Sequence, residues 1–244
     1  MSSISLVVID TDTHVLANQA LRQSMRFKVD EVVVLSDTDQ HWDVKPTKII
    51  PKINSIEEYN RFVVFDLNQY IKTSHFIMIQ FDGFITNPDE WSQLFWHYDY
   101  IGAPWPQQSH GYHNVGNGGF SFRSKKLMNL VQNYAATAFN AALAEDLYIC
   151  QGLRPVLEQN DNIYFADQLI ASHFSAESFR YRYPTFGFHN IRFMPEVYRD
   201  RLDFLLDNLS DRVVKQHGPT MMPFLEIVSF GHAYKLYERI QSLK

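Results

Sequence analysis

Three short apolar runs punctuate the first third of the chain: Ile4 to Ile9, Glu31 to Leu35 and His75 to Gln80. They do not alternate apolar with polar positions, and runs of this length and β-branched content predict strands buried on both faces. Between them the spacing turns helical. Leu16, Ala17, Ala20, Leu21, Ser24 and Met25 share one face, as do Ile56, Tyr59, Val63, Leu67 and Tyr70. Ser55 with Glu58 forms a capping box ahead of the second helix. Strand, helix, strand, helix, strand predicts a parallel α/β sheet. In such sheets ligands sit beyond the carboxyl ends of the strands. All three runs end there in polar residues: Thr11 and Asp12, Ser36 and Asp37, Gln80 and Asp82.

The second half is less regular. A helix is expected over Arg123 to Phe139 with Ser124 near its cap, and another over Glu145 to Gln159, where Pro155 kinks or shortens it. Ile163 to Ala166 reads as a strand, Ser172 to Asn190 has no clear period, and Pro195 to Leu206 and Leu225 to Leu243 read as helices. With no linker, repeat or low-complexity segment in 244 residues, one compact domain with a C-terminal helical extension is the simplest organisation.

Composition narrows the function classes. Hydrophobic residues make up 45%, enough for a large core, and aromatics reach 15%. A net charge of −5 supplies no basic field for nucleic acid. A single cysteine, Cys150, excludes an internal disulfide and a cysteine-based zinc site. This fits a cytoplasmic protein, and no apolar run approaches the roughly 20 residues of a membrane span. The N-terminus reads as a first strand and not as a signal peptide.

The densest local signal is YDYIGAPWPQQSHGYHNVGNGGFSFRS, Tyr98 to Ser124, in which Gly111, Gly116, Gly118 and Gly119 fall within nine residues. Clustered glycine marks backbone that bends or lies against something, and an apolar helix follows from Leu127. Asp82 follows a strand directly and precedes a glycine. That suits a divalent metal on a diphosphate, or equally a turn aspartate bonding its own backbone. Glu145 and Asp146 stand at a helix start, where acidic residues are favoured for dipole reasons alone; the functional alternative is a general base for an acceptor hydroxyl. His189 lies in a loop-like PTFGFHNIRF, compatible with a metal ligand or a structural role. His110 and His113, Trp91, Trp96 and Trp105, with Tyr98 and Tyr100, are loop or core residues or substrate contacts.

The segments QFDGFITNPDEW, YDYIGAPW, VGNGGFSFRS, AEDLYIC, HFSAES and FGFHN occur in that order. From about Val7 to Asn190 the chain thereby resembles a family of uncharacterised-domain proteins, bacterial and fungal, that look like GT-A type glycosyltransferases. The resemblance implies a GT-A-like, Rossmann-type α/β fold, with a mostly parallel mixed sheet flanked by helices. It implies a nucleotide-binding half (1–100), an acceptor and catalytic half (101–195) and a helical extension (196–244). The usual D-x-D metal motif reads Gln80-Phe81-Asp82 here, so Asp82 would be the remaining ligand to Mn²⁺ or Mg²⁺, completed by His189. Asp146 matches the catalytic base, with Glu145 second. Thr11 and Asp37 match positions that touch uridine or another base, Gln80 and Asp82 lie at the donor, and Asn117, Gly118 and Gly119 match the floor under donor sugar and acceptor.

The activity so implied is transfer of a sugar, with inversion, from a nucleotide sugar, UDP-linked in the first instance, to a glycan or lipid-linked hydroxyl, in surface polysaccharide or lipopolysaccharide assembly. Peripheral contact with the inner membrane face is compatible with the amphipathic C-terminal segment. Two other classes compete: a nucleotidyltransferase on a similar sheet, and a degenerate, non-catalytic sugar-binding protein, to which Gln80 gives weight.

Overall fold

The structure, a computed structural model, describes residues 2–106, 113–178, 181 and 183–243. The apolar runs become β1 (Ile4–Asp10), β2 (Glu31–Ser36) and, after the two-residue β3 (Lys48–Ile49), β4 (His75–Ile79). There follow β5 (Gly83–Ile85), β6 (Tyr100–Ile101), β7 (Ala103–Pro104), β8 (Val115–Gly116) and β9 (Ser121–Ser124). The last two strands are β10 (Ser175–Ala176) and β11 (Gly187–His189). The main sheet runs β3-β2-β1-β4-β9-β6. Its first four strands are parallel, and β9 lies antiparallel to both β4 and β6. The expected class, a mostly parallel mixed α/β sheet flanked by helices with a C-terminal helical region, is therefore present.

Burial explains why the runs do not alternate. Leu6 and Val8 face a layer made by the helix His14–Ser24 and the C-terminal helices, through Leu16, Leu21, Val214 and Met221. Val7 and Ile9 face the other layer, with Val63, Val64, Leu127 and Met128. Each face must be apolar because each is covered.

The helices carry the expected caps. Ser55 Oγ accepts from Glu58 N at 3.2 Å, and Ser124 Oγ from Leu127 N at 2.9 Å at the head of the helix Lys125–Ala135. The Glu58 side chain reaches back one residue further than a capping box requires, to Asn54 N at 2.7 Å. Helical backbone runs from Glu145 to Asn160 through a wide turn at Tyr148–Leu153, and Pro155 falls in the first turn of Arg154–Asn160, where its missing N–H costs nothing.

Four expectations change. Arg123 belongs to β9, and the helix expected over Arg123 to Phe139 runs from Lys125 to Ala135. Ile163 to Ala166 forms no strand: β6 is two residues long, so only Phe165 bridges to Tyr100, with Tyr164 O accepting from Asp99 N and Tyr100 N. The segment Pro195 to Leu206 breaks into short turns, Met194–Val197, Arg199–Arg201 and Leu202–Asp207. The terminal helix becomes two, Asp211–Val228 and Phe230–Ser242, separated at the extended Ser229. Pro219 and Pro223 lie inside the first of these and masked its start at the Ser210 cap. Among the described residues no helix is long and apolar enough to cross a membrane.

Candidate active site

The carboxyl ends of β1 and β4 open onto a cavity of about 640 Å³, within the size range of nucleotide-scale ligands. Its walls are the β1 turn Ile9–Thr13, the segment Ile53–Ile56 with Tyr59, Gln80 and Phe81 after β4, and one side of the helix Asp211–Val228. Thr11 is buried there, its hydroxyl bonded to the Ile53 backbone, donating to O at 3.4 Å and accepting from N at 3.1 Å. Asp10 accepts from Thr13 Oγ1 at 2.7 Å and from the Asp12 and Thr13 amides. Burial nevertheless keeps its pKa above the ordinary carboxylate value. Asp37 lies outside this wall: its Oδ1 meets His14 Nε2 at 2.7 Å.

Gln80 joins the cavity to the glycine-rich turn. Its Nε2 donates to Tyr59 Oη at 2.9 Å, and its Oε1 lies where a side chain on Gly119 would begin, 2.5 Å from an ideal Cβ. The turn itself is held from within. Asn117 takes a positive φ of 104°, a conformation asparagine tolerates better than most residues. Its Oδ1 accepts from Gly119 N at 2.7 Å and Phe120 N at 3.1 Å, and its carbonyl accepts from Tyr100 Oη at 2.7 Å. Trp105, a suggested substrate contact, packs beneath instead, its ring about 2.0 Å from an ideal Cβ on Gly116. His110 and Gly111 fall outside the described residues; among the described contacts none joins His113 to this network.

One side of the turn rests on the acidic pair. Gly118 N donates to Asp146 Oδ2 at 3.0 Å, and Leu147 N to Oδ1 at 2.8 Å. Asp146 keeps part of its surface open. Burial, with Glu145 adjacent, still raises its pKa to about 6 against these hydrogen bonds. Glu145 is held differently. It is buried and forms a two-pronged pair with the fully buried Arg123, at 2.9 and 2.8 Å. Arg123 also donates to Gly118 O at 3.3 Å and to Ser121 Oγ at 2.9 Å. Burial disfavours its charge, but Glu145 outweighs that and holds the guanidinium firmly protonated. The two neighbouring carboxylates thus divide: Glu145 braces the floor and Asp146 faces it with a proton site.

This brace makes Gly118 intolerant of a side chain. An alanine Cβ would lie 2.2 Å from Glu145 Oε1, which Arg123 prevents from moving. Gly118→Ala should cost about 1–3 kcal/mol. A urea melt reads this directly, and an unchanged midpoint would show that the floor yields.

The other side of the turn meets β11, which pairs antiparallel with β5 and sets His189 opposite Gly83; Asn190 N donates to Asp82 O at 2.9 Å. His189 Nε2 lies 3.8 Å from Asp82 Oδ1, and Nδ1 is 2.7 Å from Asn117 Nδ2 and 3.4 Å from Glu177 Oε1. Burial lowers the His189 pKa, but Asp82, Glu177 and Asp146 raise it to about 8 overall. The short Asn117 contact instead favours a neutral ring. Because two backbone amides fix the Asn117 oxygen, its NH₂ group must face Nδ1, which then accepts. With Nδ1 accepting from Asn117, the proton of the neutral ring sits on Nε2, which offers Asp82 an N–H. Among the described residues no three His, Cys, Asp or Glu side chains are grouped to hold a metal ion. In this tautomer the expected Asp82–His189 pair offers a divalent ion the Asp82 carboxylate alone.

The structure therefore brings Gln80, Asp82, Asn117, Gly118, Gly119, Asp146 and His189 into one continuous network, sets Thr11 in the adjoining cavity and leaves Asp37 apart. The sequence reading passed over Arg123, Tyr59, Glu177 and Asp10. A buried arginine demands a carboxylate partner, but the sequence reads Arg123 as the start of a helix, so only the strand β9 reveals that demand.

No curated protein matches the chain. Among solved structures, the apo-form glycosyltransferase GlyE of Streptococcus pneumoniae TIGR4 is similar at 10% identity over 85% of this chain and 51% of GlyE, with a TM-score of 0.39. A second GlyE structure is similar at 8% identity over 86% and 53%, also at 0.39. The chain thus spans about half the length of these proteins, and a likeness of that degree carries no argument about chemistry. A family model described as "Protein of unknown function (DUF5672)" matches residues 43–189, from the segment before β3 to His189. That match covers more than half of the chain, which therefore belongs to the DUF5672 family.

Proposed function

We propose that the protein is a glycosyltransferase that moves a sugar from a nucleoside-diphosphate donor to a hydroxyl acceptor by direct displacement. One observation carries this reading: the Asn117–Gly119 turn is gripped by the Asp146 carboxylate on one side and the His189 imidazole on the other, and Gln80, a wall residue of the nucleotide-sized cavity, lies against Gly119. The nucleotide lies in the cavity and the sugar on the glycine floor, where any side chain would strike His189, Gln80 or Glu145. Asp146 takes the proton of the acceptor hydroxyl as its oxygen bonds to the anomeric carbon. The bond from that carbon to the diphosphate breaks, and the nucleoside diphosphate departs. The His189 Nε2–H, poised beside Asp82, donates to the departing diphosphate, a charge-assisted bond that strengthens as negative charge grows. The acceptor class this reading favours is a glycan or lipid-linked hydroxyl, and UDP-sugars are the first donors to test.

Phosphorus NMR of the protein with a panel of nucleotide sugars tests the reaction class. Release of a nucleoside diphosphate from one donor class supports it. Pyrophosphate released from a nucleoside triphosphate and a sugar 1-phosphate would mark nucleotidyl transfer instead. Inertness toward every donor would sink catalysis altogether.

A further inference from the structure

The helix Asp211–Val228 lies outside the family-matched segment, yet it closes the cavity. Among the described residues lining that cavity, Arg212 carries the only permanent positive charge; the carboxylates of Asp10 and Asp12 line it too, and Arg212 pairs with Asp12. The helix is fixed in this position. Ser210 Oγ donates to Asp12 Oδ2 at 2.6 Å and caps the helix by accepting from Val213 N. Val213 and Val214 are buried in the core, and Gly218 fits against Ile240 of the following helix, 2.9 Å from an ideal Cβ. Arg212 donates to Asp12 through Nε at 3.1 Å, which leaves its two terminal nitrogens to meet a ligand.

We propose that Arg212 is a ligand-binding residue that holds the phosphates of the nucleotide, and that the C-terminal helix is thereby a working wall of the site. The proposal rests on the donor reading above. A diphosphate entering a cavity that already contains two carboxylates needs a cation. Among the described lining residues Arg212 is the one side chain that supplies that charge permanently. A guanidinium matches two phosphate oxygens at once. Asp12 orients Arg212 as a carboxylate orients a catalytic side chain, from behind.

Calorimetric titration of UDP and of uridine into the full chain separates the possibilities. Wild-type protein should bind UDP more tightly than uridine. Arg212→Gln, which keeps the helix and most of the stem, should weaken UDP about tenfold, a modest figure because Arg212 is about half exposed. It should leave uridine unchanged, and Arg212→Lys should recover part of the loss. If Arg212→Gln binds UDP as wild type does, the proposal is wrong while the donor reading stands. Equal losses for UDP and uridine would also overturn it, making Arg212 a brace for the helix. If wild-type protein binds GDP in place of UDP, the same comparison is made with GDP and guanosine; binding of neither diphosphate removes the donor reading and this proposal together.

Discussion

Asp146→Asn should lose transfer by about 10²–10⁴-fold while folding normally. Asparagine keeps the shape but has a single carbonyl oxygen, so it can accept only one of the Gly118 and Leu147 amides, and it cannot take a proton from an attacking hydroxyl. The wild-type pH profile should share this origin. With burial and Glu145 holding the Asp146 pKa at about 6, turnover should fall about tenfold per pH unit below that value and level off above it. Stability should move the opposite way. A carboxyl whose folded pKa lies above its unfolded value favours the folded state at low pH and loses that contribution as pH rises through the folded value. Asp146→Asn has no such loss, so its melting temperature relative to wild type should rise as pH climbs from about 4 to about 6 and level off above that. Activity surviving in Asp146→Asn would remove the base, and a melting-temperature difference independent of pH would remove the raised pKa.

Glu145→Ala should damage the fold far more than the chemistry. It leaves Arg123 fully buried with no carboxylate, and breaking such a pair costs about 3–5 kcal/mol. Arg123→Met alone should cost a similar amount by stranding Glu145. Replacing both with apolar residues should restore much of the loss, because the charges then leave together. Denaturant melts of the two single variants and the double complete the cycle. A loss under 1 kcal/mol in Glu145→Ala, or strict additivity in the double, would show that the pair does not brace the floor. The contrast with Asp146→Asn matters because the sequence presents the two acids side by side with nothing to tell them apart.

How much was legible beforehand depended on the range of the interaction. The parallel strands could be read because burial on both faces imposes uninterrupted apolar runs, and the caps at Ser55 and Ser124 because they act over three residues. Asp82, Asn117, Gly118, Gly119, Asp146 and His189 were found through ordered motifs, and the fold gathers them. Their division of labour was hidden, since it depends on Arg123 reaching Glu145 across 22 positions and on Asn117 reaching His189 across 72. Asp37 shared the strand-end logic of Thr11, yet β2 is one strand further from the cavity and Asp37 turns to His14. Arg212 was out of reach for a different reason: Pro219 and Pro223 obscured its helix, and only tertiary packing brings residue 212 to residue 12.

The central claim, that Asp146 drives a direct displacement on the glycine floor, is tested most directly by the anomer first released. Proton NMR of wild-type protein turning over a UDP-sugar, with water or a sugar hydroxyl as acceptor, resolves that anomer before it equilibrates. Direct displacement yields a configuration opposite to the donor's. A product of retained configuration would contradict it.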